Sequence, residues 1–156
     1  LRNKAIQLDK SRYSTLYRWP TIWPLENVWL GVSVENQRWA DYRIPILLDT
    51  PAAVRFVSYE PSLAAVSFCP CGQGAVLSYE GPTRGCWLHG PSALDQIICG
   101  GESGPRRRPF DLDWARTVRD QCKAAGVAFW MKQAGSRFSE NYESLPGDLR
   151  VREFPS

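Results

Sequence analysis

Val28-Trp-Leu-Gly-Val-Ser-Val-Glu35 is an apolar, strand-like run that stops on a carboxylate, and its reading decides the fold. The same shape returns at Val54-Arg-Phe-Val-Ser-Tyr-Glu60 and at Gln96-Ile-Ile-Cys-Gly-Gly-Glu102, the first two sharing the string Val-Ser-x-Glu. A fourth run, Val127 to Met131, ends on Lys132 and Gln133. Near-continuous apolar runs are the mark of strands buried on both faces, as in parallel sheets, where chemistry gathers beyond the carboxyl ends of the strands. Glu35, Glu60, Glu102, Lys132 and Gln133 are therefore candidate catalytic residues expected at one edge of one sheet.

The connections carry the pattern of crossover helices. After Glu35, Asn36 can cap a helix whose apolar positions Trp39, Ala40, Ile44, Leu47 and Leu48 recur near helical spacing, with Pro45 expected to break or kink it. Between Asp111 and Gly126 the signal is clearer. Asp111 is a good N-cap, Asp113 suits the first turn, Gly126 is a natural stop, and Leu112, Ala115, Val118, Cys122 and Ala125 form one stripe. Spacings of roughly 26 to 40 residues between strands suit βαβ units rather than hairpins. The fold class is α/β: a parallel sheet of about four strands, a partial (β/α) barrel resembling half of a TIM barrel, with an irregular insertion.

A complete barrel needs roughly 250 residues, and the sequence has 156. It opens on Leu1 and its one methionine is Met131, so it is expected to be the C-terminal part of a larger chain. A small open sheet, or a half-barrel closed by a second copy, are the other possibilities. An exposed sheet edge would need covering in each case. Residues 1–156 read as one α/β domain, with a basic N-terminal segment at 1–22, an insertion at 62–93 and a C-terminal tail at 136–156.

With 44% hydrophobic residues and seven Trp the chain can bury a real core, which excludes a disordered segment. Its net charge of +3 is mild and concentrated. Arg2, Lys4, Lys10, Arg12 and Arg18 supply one patch and Arg106-Arg107-Arg108 another, either solvated surface or contacts for a phosphate-bearing or nucleic-acid ligand. No stretch is long and apolar enough for a membrane span and no signal-peptide pattern opens the chain, so a cytoplasmic location with reduced cysteines is expected.

Two further regions carry candidate chemistry. The insertion contains Cys69-Pro-Cys71 and Cys86-Trp-Leu-His89, and Cys69, Cys71, Cys86 and His89 could hold zinc tetrahedrally; the bland alternative is thiols and a surface imidazole in a flexible loop. Cys99 and Cys122 read as core residues. Gly100-Gly101-Glu102-Ser103-Gly104-Pro105, followed by three arginines, brings exposed N–H groups beside guanidinium groups. That suits a phosphate or a cofactor carboxylate, with Gly100, Gly101, Ser103, Gly104, Arg106 and Arg108 as candidate cofactor-binding residues. Neither the P-loop ending nor the Rossmann spacing is present, and a tight structural turn before the helix capped by Asp111 explains the same residues.

Asn27-Val-Trp-Leu-Gly-Val-Ser-Val-Glu-Asn-Gln37, Pro51 to Leu63, Gly100 to Pro105 with Arg108-Pro109, Arg119-Asp-Gln-Cys122 and Phe129-Trp-Met-Lys-Gln133 resemble the C-terminal half of a phage and prophage protein family of uncharacterised function. That family is similar to the radical-SAM enzymes in its barrel and in an N-terminal three-cysteine motif. The resemblance covers roughly residues 23 to 135 outside the insertion. It implies S-adenosylmethionine and a [4Fe-4S] cluster for the full-length family, and a missing N-terminal half, or a second copy, as partner. The Cys-x-x-x-Cys-x-x-Cys spacing of such clusters is absent here, and the Gly-Gly-Glu string follows a late strand, so its early-barrel cofactor role is not carried over. Two classes stay open: a radical-SAM-like barrel fragment that is not catalytic alone, or a non-catalytic phage-derived module binding phosphate or nucleic acid through its basic segments. Hydrolase chemistry finds little support, because the one His lies in the insertion and no nucleophile elbow is present.

Overall fold

A computed structural model describes residues 23–69, 86–90, 93–135 and 142–156. The elements run β1 (Trp29–Ser33), α1 (Gln37–Leu48), β2 (Val54–Tyr59), β3 (Gln96–Gly100), α2 (Leu112–Ala125) and β4 (Ala128–Gln133), followed by 3-10 turns at Tyr142–Ser144 and Gly147–Leu149. The strands form one sheet in the order β1-β2-β3-β4. All three pairings are parallel, with Ser33 opposite Ser58, Tyr59 opposite Cys99, and Gln133 opposite Gly100. Strands added in sequence order, without the reversal that makes a doubly wound sheet, are the arrangement of successive strands in a (β/α) barrel.

Strand alternation separates two faces. Val32, Val57, Tyr59, Ile97, Cys99, Phe129 and Met131 join the core with Ala40, Ile44 and Leu47 of α1 and Ala115, Val118 and Cys122 of α2. The helix stripes expected from the sequence are thus the buried ones. Asn36 caps α1 by accepting from the Trp39 N–H at 3.3 Å, Asp111 caps α2 by accepting from Asp113 at 2.9 Å, and Gly126 ends α2 in the left-handed region at φ 70°. Of the break or kink expected at Pro45, the break is corrected: α1 runs through it to Leu48. Pro45 sits on the exposed side of the helix, where water can serve the carbonyl its missing N–H leaves open, and its own carbonyl still accepts from Asp49 at 3.0 Å.

No helix stands between β2 and β3 among the described residues. The described parts of the insertion fill that place instead. Phe68 is fully buried, edge-on to Tyr59 at 5.8 Å and Trp87 at 6.2 Å, and Val66, Leu88 and Leu94 are buried around it. Gln37 of α1 accepts from the Ser67 N–H, and Gln121 of α2 accepts from both Phe68 and Cys69, so the crossover is tied to both helices.

The C-terminal residues are built in as well. Leu145 and Leu149 are buried, and Asp148 is held by Arg116 at 2.8 Å and Arg119 at 3.0 Å. Met131 N–H donates to Val151 O and Glu153 N–H to Phe129 O, with Arg152 bridged antiparallel to Trp130. Part of the β4 edge is therefore covered by the chain's own tail, so one exposed edge that needed covering finds its cover within the chain. Among the described residues, the edge left without a partner strand is that of β1.

The second face of the sheet carries no helix among the described residues. Trp29, Phe56, Ile98 and Trp130 line a shallow apolar hollow there with Gln96 and Phe154. The Phe56 ring lies across Gly31, where a Cβ would sit 2.4 Å from it. Among the described residues, no helix is long and apolar enough to cross a membrane.

Candidate functional site at the carboxyl edge

Glu35 and Glu60 follow neighbouring parallel strands in equal register, and Glu102 follows the next strand, so the three carboxylates stand along one edge of the sheet. The chain leaving β2 turns back across this edge. Leu63 N–H donates to the carbonyl of Glu35 and Ser62 N–H to that of Gly100, both at 2.9 Å, so backbone groups at the strand ends are satisfied without a helix.

Like charges gathered this way repel unless compensated, and each carboxylate has its own cation. Lys132 Nζ lies 2.8 Å from Glu60 Oε2, Arg43 lies 3.2 Å from Glu35, and Arg108 grips Glu102 through Nε and Nη2, both at 2.9 Å, with its backbone N–H at 2.8 Å. Gln133 Nε2 completes the centre, donating to Glu60 Oε1 and to the Gly101 carbonyl, each at 3.0 Å. Glu60, Lys132 and Gln133 thus come together as one polar cluster, while Glu35 and Glu102 flank it in pairs of their own. Arg43 was not singled out by the sequence reading. It sits two helical turns into α1 with its guanidinium over the Trp39 ring at 4.4 Å, a placement visible only once α1 is laid on β1.

The glycine turn has a steric reason. A Cβ on Gly100 would stand 3.2 Å from the Glu60 carboxyl carbon, and one on Gly101 only 2.6 Å from the Ala134 carbonyl, where the chain passes on to bond Gln133 O. Gly101→Ala is expected to lower stability by about 1–3 kcal/mol, read as a shift in the urea midpoint; an unchanged midpoint would mean that the turn gives way freely. Ser103 and Arg106 are exposed, whereas Arg107 donates to Gly135 O and Arg108 is committed to Glu102. Two of the three arginines read as an anion contact are engaged inside the loop.

Arg108 sets the titration of its partner. Its side-chain and then its backbone hydrogen bonds hold the Glu102 carboxyl down at about 2. The pairing favours the closed loop above the ordinary glutamate value of about 4.3, and that preference is lost as the pH falls toward 2. A carboxyl-carbon NMR titration is expected to place the Glu102 midpoint near 2 and to return it to the ordinary range in Arg108→Met.

The cysteines divide by position. Cys99 and Cys122 are buried beneath the helices, and burial pushes the Cys99 thiol up to about 12 and that of Cys122 higher still. Cys69, Cys86 and His89 gather in the crossover, their ligand atoms within 4.8 Å of one another, and form a group that could hold a metal ion. Cys71, the other cysteine of the expected zinc set, lies outside the described residues, as do the basic residues of segment 1–22. No three described cysteines converge, so the described residues do not fit a [4Fe-4S] cluster.

Fold and edge together define an α/β protein with a singly wound parallel sheet and a charged, fully paired carboxyl edge. The chain belongs to the family described as Protein of unknown function (DUF5131), whose family model matches residues 2–151. No curated protein and no solved structure matches it.

Proposed function

We propose that this chain is one wall of a larger partial (β/α) barrel, of the kind its sequence resembles in phage-derived radical-SAM-like proteins, and that it supplies a polar ligand-binding rim rather than a complete catalytic centre. The observation that carries this reading is the sheet itself. Its strands are added in sequence order, both crossover helices pack on one face, and the other face is apolar with no helix over it among the described residues. In a barrel that second face points inward and the Glu60, Lys132 and Gln133 cluster stands at the mouth, where barrel ligands bind.

The ammonium of Lys132 is half exposed while its partner Glu60 is mostly covered, so the cation is the group a ligand carboxylate or phosphate can reach. Glu60 holds it in place and is itself held by Gln133. The cluster chemistry implied by the resemblance would have to come from cysteines elsewhere in the assembled protein, because Cys99 and Cys122 are walled into the core and Cys69 and Cys86 share their site with His89. The basic-module alternative is weakened by the internal use of Arg107 and Arg108.

Anaerobic reconstitution of the 156-residue chain with iron and sulfide, followed by absorbance and electron-spin spectroscopy, tests the division of labour. No stoichiometric [4Fe-4S] signal is expected; a stoichiometric signal would show that the chain holds the cluster itself. The reading frame upstream of Leu1 is the companion observation. A contiguous Cys-x-x-x-Cys-x-x-Cys motif supports the barrel, and a stop or unrelated sequence supports an independent binding module.

A further inference from the structure

We propose that Cys69, Cys86 and His89 bind a zinc ion that staples the β2–β3 crossover in the place where a barrel unit would have its helix. Cys86 Sγ lies 2.8 Å from Cys69 Sγ and 2.8 Å from His89 Nδ1, and Cys69 Sγ lies 3.6 Å from the same nitrogen. Two thiols and an imidazole are a zinc donor set, and they are three of the four ligands a tetrahedral structural zinc takes. Ligands on a tetrahedral zinc at about 2.3 Å stand about 3.8 Å apart, so metal entry would spread the two sulfurs by about 1 Å. Binding releases the two thiol protons to solvent and engages the imidazole in its neutral form, with no change of oxidation state.

The surroundings favour a structural metal. Cys69 directly follows the fully buried Phe68, and its N–H donates to Gln121 at 2.8 Å, which fixes the direction of its side chain. Cys86 and His89 bracket Trp87 and Leu88, both buried. The donors thus come from two segments, already anchored by their neighbours in the core, that the sequence separates by seventeen positions. Joining such segments removes loop freedom from the unfolded chain, and the described residues of the crossover have no helical ladder of their own to do this. His89 lines a hollow with Asp95 and Gly126, just before β3 and β4 begin and so at the end opposite the carboxyl edge, and zinc here acts on the fold and not on a ligand at the rim.

The test is metal analysis of the full 156-residue chain purified under reducing conditions without chelator. Close to one zinc per chain is expected, with most of it lost in Cys86→Ser and in His89→Ala. Titration of the stripped wild-type chain with cobalt(II) is expected to give a thiolate-to-cobalt charge-transfer band that zinc abolishes, and this arm holds even where a variant fails to fold. Thermal unfolding should shift to lower temperature on chelation. Absence of zinc as purified together with no cobalt band overturns the proposal. So does full zinc content in both variants, or a Cys69–Cys86 disulfide in the metal-free native chain, seen as a mass lower by two hydrogens. These outcomes are independent of the barrel-wall reading, which a zinc-free crossover leaves intact.

Discussion

Phe68→Ala is expected to lower the stability of this chain by about 3–5 kcal/mol, a large share of what a domain of this size possesses. The side chain is fully buried between Tyr59 and Trp87, and the backbone around it is bonded to Gln121 of α2. Removing the ring leaves a cavity that the sheet on one side and α2 on the other cannot both close. The neighbouring Tyr59 hydroxyl, committed to Ala64 O at 2.5 Å, is held where it is. Urea unfolding of the purified variant against the parent reads the loss. A change below about 0.5 kcal/mol, the range of ordinary surface substitutions, would mean that the crossover is laid on the outside of the domain and does not replace a helix.

Replacing Trp29 and Phe154 together by Ser is expected to weaken any association of the sheet's open face at least tenfold. The two rings lie at 6.4 Å, and Phe154 also meets Trp130 at 5.0 Å, so they form the outer part of the hollow on that face. Trp29 is 43% exposed and Phe154 65% exposed, which makes the double change cheap for the folded monomer. Desolvating large aromatic rings is what drives assembly at interfaces of this kind. Association constants from sedimentation, with unfolding midpoints as a control, separate the two effects. An unchanged association constant would move the contact away from this face.

The strands and helices were legible because each is stated locally. Four apolar runs gave four strands, the three Glu endings fell on one edge, and Asn36, Asp111 and Gly126 marked helix ends by side-chain and backbone chemistry that needs no tertiary partner. Lys132 and Gln133 were also readable as residues of that edge, since a strand's end fixes where its last side chains emerge. Pro45 does not break α1, because the carbonyl its missing N–H leaves open can be served by water where the position faces outward.

What the sequence hid is long-range. Nothing in Gln121 announces that it will hold two backbone N–H groups of the crossover, and nothing in Val151 to Glu153 announces pairing with β4. The pairing of Glu35 with Arg43 and of Glu102 with Arg108 depends on how α1 and the glycine turn return over the strands. The crossover had the composition of a loop, and only the packing of Phe68, Trp87 and Leu94 reveals it as part of the core.

Sedimentation equilibrium of the purified 156-residue chain over a wide range of concentration asks most directly whether this sheet is one wall of a larger barrel. With β4 bridged by Arg152 and, among the described residues, no helix over the apolar face that Trp29, Phe56, Ile98 and Trp130 line, the chain is expected to associate as its concentration rises. A single monomeric species at every concentration, unfolding in one sharp cooperative transition, would contradict the barrel wall and make the sheet complete as it stands.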